Sequence, residues 1–205
     1  MSYSQNYEKW LNFEQLPDYL RQELLQMDEK TKEDAFYTNL EFGTAGMRGY
    51  IGAGTNRINI YVVRQATEGL AKLIETKGDE AKKRGVAIAY DSRHFSPEFA
   101  FESAQVLAQH GIKSYVFESL RPTPELSFAV RHLGTFAGIM ITASHNPAPF
   151  NGYKVYGEDG GQMPPADADA LTDFIRTIED PFTIALADLE ESKASGLIEV
   201  IGEAV

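Results

Sequence analysis

Phe136-Ala137-Gly138-Ile139-Met140-Ile141, followed at once by Thr142-Ala143-Ser144-His145-Asn146-Pro147, is the stretch on which the fold turns. Its first six residues are apolar and rich in β formers, the pattern of a short strand covered on both faces. The run then breaks into small and polar residues. Because ligands of open α/β sheets bind where strands end, Ser144 is offered at a site position, with His145 beside it and Pro147 stiffening the turn.

Outward from this stretch, strands alternate with helices from residue 49 onward, which predicts an α/β layer architecture. A helix is expected over 59–77, stopped by Gly78, and an apolar strand over 86–90 ends in Asp91-Ser92-Arg93. Ser96-Pro97-Glu98 reads as the opening of a helix with Ser96 as its cap, closed by Gly111 before a strand over 112–117. Pro122-Thr123-Pro124-Glu125 starts a helix toward Leu133. Beyond the Ser144 loop, a strand over 152–156, a helix over 165–178 and a strand over 197–201 complete the expected pattern. That last run lies close to Val205 and reads as the edge of something larger. Upstream, Trp10, Leu11, Phe13, Leu16, Leu20, Leu24 and Leu25 fall at helical spacing interrupted by Pro17, which predicts two short amphipathic helices. Thr31 with Asp34 resembles a capping box for a third. The reading is therefore a helical arm over 1–40 packed on an α/β domain over 41–205.

Composition narrows the function. In 205 residues, 43% are hydrophobic, enough for a sizeable core. The formal net charge is -11 and the Lys/Arg residues form no dense stripe, so nucleic acid is not an expected partner. The absence of cysteine excludes disulfides, thiolate metal sites and thiol catalysis, and fits a cytoplasmic location. No run approaches the ~18 apolar residues of a membrane span, and the N-terminus has no basic segment leading into an apolar one. A soluble, unprocessed chain is expected.

Three segments can carry chemistry. Phe42-Gly43-Thr44-Ala45-Gly46-Met47-Arg48-Gly49 could turn several backbone N–H groups and the forked Arg48 guanidinium toward a phosphate, although glycine-rich turns are commonly only turns. Ser144 could act as a nucleophile or carry a phosphoryl group; a serine that caps its own turn is the alternative. The Ser144-His145 pair is no hydrolase signature, since adjacent side chains on an extended segment point apart. Lys154, between Tyr153 and Tyr156, could be partly desolvated and so serve as an acid or base, or it could be a solvated strand lysine. Arg93, ending another strand, could reach the same crevice or form an ordinary surface ion pair.

Taken together and in this order, the segments 42–49, 142–147 and 151–156, with Tyr90-Asp91-Ser92-Arg93 and Pro122-Thr123-Pro124 between them, resemble the N-terminal domain of the α-D-phosphohexomutases. The wording is most similar to the phosphoglucomutase branch that includes phosphopentomutase-like members. The resemblance implies a three-layer α/β/α fold with a mixed, mostly parallel sheet preceded by the helical arm. It implies that Ser144 is phosphorylated and passes its phosphoryl group to a sugar monophosphate, with glucose 1,6-bisphosphate as intermediate and activator. Arg48 and Lys154 would be catalytic beside it, and Thr44, Arg48, Arg93, His145 and Asn146 would bind substrate or phosphate. A magnesium ion would take a phosphoryl oxygen on Ser144 and aspartates from a second domain whose loop this sequence lacks. The implied partners are a sugar phosphate and the remaining family domains, and the chain by itself is expected to be inactive. Phosphopentomutase, phosphomannomutase and a non-catalytic phosphosugar-binding module are the alternatives.

Overall fold

The computed structural model describes residues 2–43, 46–202 and 205. Three short helices come first: α1 (Tyr3–Leu11), α2 (Asp18–Gln26) and α3 (Glu29–Phe36). Pro17, which has no N–H to continue a helix, separates the first two. The capping expected at Thr31 belongs instead to Asp28. Its backbone is extended and its carboxylate accepts from the Thr31 N–H at 2.8 Å, so α3 starts one turn earlier and stops at Phe36.

The α/β part runs β1 (Met47–Tyr50), α4 (Ile60–Thr76), α5 (Asp79–Arg84), β2 (Val86–Tyr90), α6 (Ser96–Gln109) and β3 (Ser114–Phe117). It continues α7 (Thr123–Leu133), β4 (Ala137–Ile141), β5 (Phe150–Tyr156), α8 (Pro165–Arg176), α9 (Leu189–Ala194) and β6 (Ile198–Ile201). Among the described residues the six strands form one sheet in the order β1-β5-β4-β2-β3-β6. The pairs β4-β2, β2-β3 and β3-β6 are parallel, while β5 runs antiparallel to both β4 and β1. The sheet is therefore mixed and mostly parallel, with helices on both faces, as the resemblance implied.

Two local expectations are corrected. Residues 47–49, read as the end of a glycine-rich loop, belong with Tyr50 to β1, because Met47 and Gly49 face inward and Arg48 and Tyr50 outward in the alternation that an edge strand needs. Ser96 does not cap α6. Its hydroxyl is spent donating to Asp91 Oδ1 at 3.0 Å, and the chain enters the helix through Phe95, held at φ 63. The short helices α5 and α9 carried no signal that the sequence reading used.

Alternation along β2 shows how the layers divide. Val86, Ile88 and Tyr90 face a core shared with α4, α6, α8 and the N-terminal helices, whereas Ala87 and Ala89 face α7 together with Met140 and Tyr156. The N-terminal helices belong to the first of these cores: Trp10, Leu20, Leu24 and Phe36 are buried with Ile58, Tyr61 and Leu70. Trp10 packs edge-on against Phe36, Tyr61 and Phe182, which joins the arm to α4 and to the 3-10 turn Pro181–Thr183. From β2 the chain leaves through α6 on one face to β3; from β3 it crosses back through α7 on the other face to β4. The ends of β2 and β4 thus lie side by side where the connections diverge, the kind of crevice in which open α/β sheets bind ligands.

Phe36→Ala is expected to cost about 3–5 kcal/mol, since it removes a fully buried aromatic ring from this shared core. Urea unfolding monitored by circular dichroism should show one transition at a lower midpoint. A change under about 1 kcal/mol would mean that the arm does not contribute to the domain core.

Candidate active site

Asp91 and Thr142 are the first residues past the ends of β2 and β4. The Asp91 N–H continues the strand pairing by donating to the Ile141 carbonyl at 3.1 Å. Its carboxylate then has two sides: Oδ1 accepts from the Arg93 N–H and from Ser96 Oγ, each at 3.0 Å, and Oδ2 accepts from Thr142 Oγ1 at 2.6 Å. The same Thr142 oxygen accepts the Ser144 N–H at 3.0 Å. Asp91 thereby orients Thr142, and Thr142 orients the Ser144 backbone. Ser144 sits at φ 56, a left-handed conformation that costs a residue with a β carbon roughly 1–2 kcal/mol.

Strain at Ser144 places its side chain at the mouth of the crevice, where Lys154 Nζ donates to Ser144 Oγ at 2.7 Å. Lys154 lies in β5 opposite Met140, on the sheet face shared with Tyr156, and is 7% exposed. Burial, and then the nearby Arg48 guanidinium, hold its pKa below the ordinary lysine value, against a smaller opposing effect of Asp91. Its ammonium therefore gives up a proton more readily than a solvated lysine would, directly beside a hydroxyl.

Arg48 stands in β1 opposite Gly152 and is exposed; its Nη1 donates to Asn146 Oδ1 at 3.3 Å. Gly152 has to be glycine, because a β carbon there would lie 2.5 Å from the Thr142 carbonyl oxygen and 2.8 Å from that of Met47. Its neighbour Asn151 is fully buried and ties the start of β5 to the turn after β2, donating to the His94 carbonyl at 3.0 Å and Ser96 Oγ at 2.9 Å while accepting the Gly152 N–H at 2.8 Å. Gly46, at φ 84, lets the chain before β1 pass so close to β5 that a β carbon would collide with the Tyr153 carbonyl oxygen.

Ser144, Lys154, Arg48, Asn146 and Arg93 thus converge at one end of the sheet, and His145 is exposed on the same loop. Thr44 lies outside the described residues. Arg93 points inward at the loop rather than outward: Nη1 donates to the carbonyls of Pro147 and Phe150, each at 2.9 Å, and Nη2 to those of Ser144 at 3.0 Å and Asn146 at 2.7 Å. Sequence reasoning assigns Asp91, Thr142, Ser96 and Asn151 no individual role in the site. The available signals were an aspartate directly after an apolar strand, a threonine two residues before the serine, and an Asn-Gly pair at a strand start.

A magnesium ion fits poorly among these groups. Asp91 is the carboxylate beside Ser144, and both of its oxygens are taken. Among the described residues no group of three His, Cys, Asp or Glu side chains could hold a metal. Near-octahedral oxygen ligation would need ligands from outside the described residues.

Comparison with known proteins bears on this geometry. Residues 39–181 match the family model described as phosphoglucomutase/phosphomannomutase, alpha/beta/alpha domain I. The chain belongs to this family. It is 42% identical over 177 residues to a phosphoglucomutase of Staphylococcus saprophyticus, an alignment covering 86% of this chain and 32% of that protein. Identity to a phosphoglucomutase of Staphylococcus haemolyticus is 44% over 153 residues, covering 75% of this chain and 27% of the relative. Among solved structures, a Thermus thermophilus protein described as a phosphomannomutase superposes with a TM-score of 0.62 at 28% identity, covering 81% of this chain and 33% of that one. The open form of Paramecium parafusin, a phosphoglucomutase, gives a TM-score of 0.61 at 19% identity over 80% of this chain and 34% of its own, a likeness of fold. The domain I chain spans about a third of the length of the curated relatives it matches.

Burial of Lys154 has a measurable signature. With its pKa lowered in the folded state, the unfolded chain binds more protons between the lowered and the ordinary value, so folding becomes more favourable as pH rises through that window. Lys154→Met lacks this increment. The stability of the parent relative to the variant should rise with pH in denaturant titrations up to the ordinary lysine range, and a difference independent of pH would contradict the placement.

Proposed function

We propose that this chain is the phosphoryl-carrying domain of a sugar-phosphate mutase that interconverts glucose 1-phosphate and glucose 6-phosphate. The observation that carries the reading is the 2.7 Å contact between Lys154 Nζ and Ser144 Oγ at the strand ends. Ser144 Oγ attacks a phosphate of glucose 1,6-bisphosphate; the Oγ–P bond forms as the sugar O–P bond breaks. The serine proton goes to the Lys154 amine, and the sugar oxygen leaves as an alkoxide that takes up a proton from water. In the reverse direction the Lys154 ammonium returns a proton to Ser144 as the phosphoryl group departs, so no net hydrolysis occurs. Such chemistry depends on positioning and on neutralising phosphate charge. Arg48 supplies a permanent positive charge near Lys154 and Asn146, in a chain whose formal net charge is -11. Asn146, His145 and Thr44 are assigned to the phosphate, the first through its contact with Arg48.

The relatives named phosphoglucomutase favour glucose phosphates over mannose or pentose phosphates. Magnesium, held chiefly by groups outside these residues, would supply charge neutralisation at the phosphoserine. Among the described residues no helix is long and apolar enough to cross a membrane, and the cysteine-free composition fits the cytoplasm. The remaining partners are the domains that make up the other part of the relatives' length, so turnover requires more than this chain.

Intact mass spectrometry tests the reading. The chain, as purified or after glucose 1,6-bisphosphate with magnesium, should gain one phosphoryl group that Ser144→Ala loses. Mutase turnover by the chain alone should be absent. Binding of the bisphosphate with Ser144 left unmodified would point to a non-catalytic phosphosugar-binding module instead.

A further inference from the structure

The geometry points to Arg93 as a positioning residue: its guanidinium is the internal clamp that shapes the 144–150 loop and holds Ser144 in its left-handed conformation, and it does not bind the substrate phosphate. This inference rests on the reading of Ser144 as phosphoryl acceptor for its catalytic consequence, but not for its structural content. A guanidinium has five N–H groups in a rigid planar fork. Four of them meet the carbonyl oxygens of Ser144, Asn146, Pro147 and Phe150, and the remaining nitrogen, Nε, lies 3.3 Å from Asp91 Oδ2. The Arg93 side chain is 13% exposed, so its charge is turned into the loop and away from solvent. Both terminal nitrogens, the pair that would grip an anion in a fork, are thereby committed to the loop.

The need for such a clamp follows from the loop itself. Residues 142–149 form no helix or strand, and their carbonyls would otherwise converge without donors in a partly buried space. Four carbonyl dipoles aimed at one point repel unless a cation with four correctly spaced donors stands there. Arg93 is itself fixed at both ends: its N–H is bonded to Asp91 Oδ1, and Asp91 also holds Thr142, which orients the Ser144 amide. The loop after β4 is thereby locked to the turn after β2. Lysine could preserve the charge, but its three donors on a flexible stem could not serve this set of carbonyls. Freed from the clamp, Ser144 would relax toward negative φ, and its Oγ would leave Lys154.

Arg93→Lys separates this account from anion binding, with two readouts on the same protein. Hydrogen–deuterium exchange should quicken across residues 144–150 in the variant and stay near the parent's elsewhere. The rate of Ser144 phosphorylation by glucose 1,6-bisphosphate should fall by about a hundredfold, with the half-saturating bisphosphate concentration nearly unchanged, as expected of a misplaced nucleophile. Arg93→Gln in the presence of free guanidinium, which can re-enter the carbonyl pocket, should recover part of both properties, and it serves where the lysine variant folds poorly. Unchanged loop exchange together with a raised half-saturating concentration would overturn the inference in favour of a phosphate ligand. A parent chain that never accepts a phosphoryl group would count against the mutase reading alone, and the exchange and rescue results would still decide the role of Arg93.

Discussion

The Thr142 hydroxyl donates to Asp91 at 2.6 Å and accepts the Ser144 N–H at 3.0 Å, and on this one group the arrangement of the site depends. It joins the ends of two neighbouring parallel strands at the point where their connections diverge. A hydroxyl can do both jobs at once because it carries one proton and free lone pairs. With the Asp91 carboxylate fixing the direction of the proton, the lone pair facing Ser144 is fixed too. Ser96, Asn151 and Arg93 then add bonds that close the network around the same carboxylate and the start of β5. Nearly every partner in it is a backbone group or a short polar side chain, so there is little freedom for the loop to drift.

Several features of the site work against stability. Ser144 holds a positive φ, Lys154 is buried beside a second cation, and Gly46 and Gly152 are needed where backbones meet too closely for a β carbon. Proteins keep such features where position matters more than the energy lost. Here the consequence is a serine oxygen presented to solvent, backed by a lysine of lowered proton affinity and flanked by Arg48. The thick core on the other face of the sheet, where α4, α6, α8 and the N-terminal helices meet, supplies the compensating burial.

Much of the fold was legible in the sequence. The strands at 86–90 and 137–141 are continuous apolar runs, and helices α4 and α7 fall within a residue of the expected 59–77 and of the span from Pro122 to Leu133. Expectations failed where a polar residue had two possible tasks. Ser96 looks like a cap from its neighbours, but Asp91, five residues away, claims its hydroxyl; Thr31 looks like a cap, but Asp28 precedes it with a charged acceptor. The catalytic candidates Ser144, Lys154 and Arg48 could be picked out by residue type and resemblance. The supporting residues could not, because the role of Asp91 depends on β2 and β4 being neighbours, which is a property of strand order. Arg93 shows the same point: at the end of a strand it reads as an anion donor, and only the folded loop shows four carbonyls already waiting for it.

The central claim is that Ser144 Oγ is paired with a lysine whose proton affinity is lowered by its surroundings. Carbon-13 labelling of the lysine side chains and a pH titration by NMR measure this directly. The account predicts that the Lys154 signal titrates below those of the solvent-exposed lysines, and that it moves on phosphorylation of Ser144. A Lys154 that titrates with the exposed lysines and is indifferent to the state of Ser144 would contradict it.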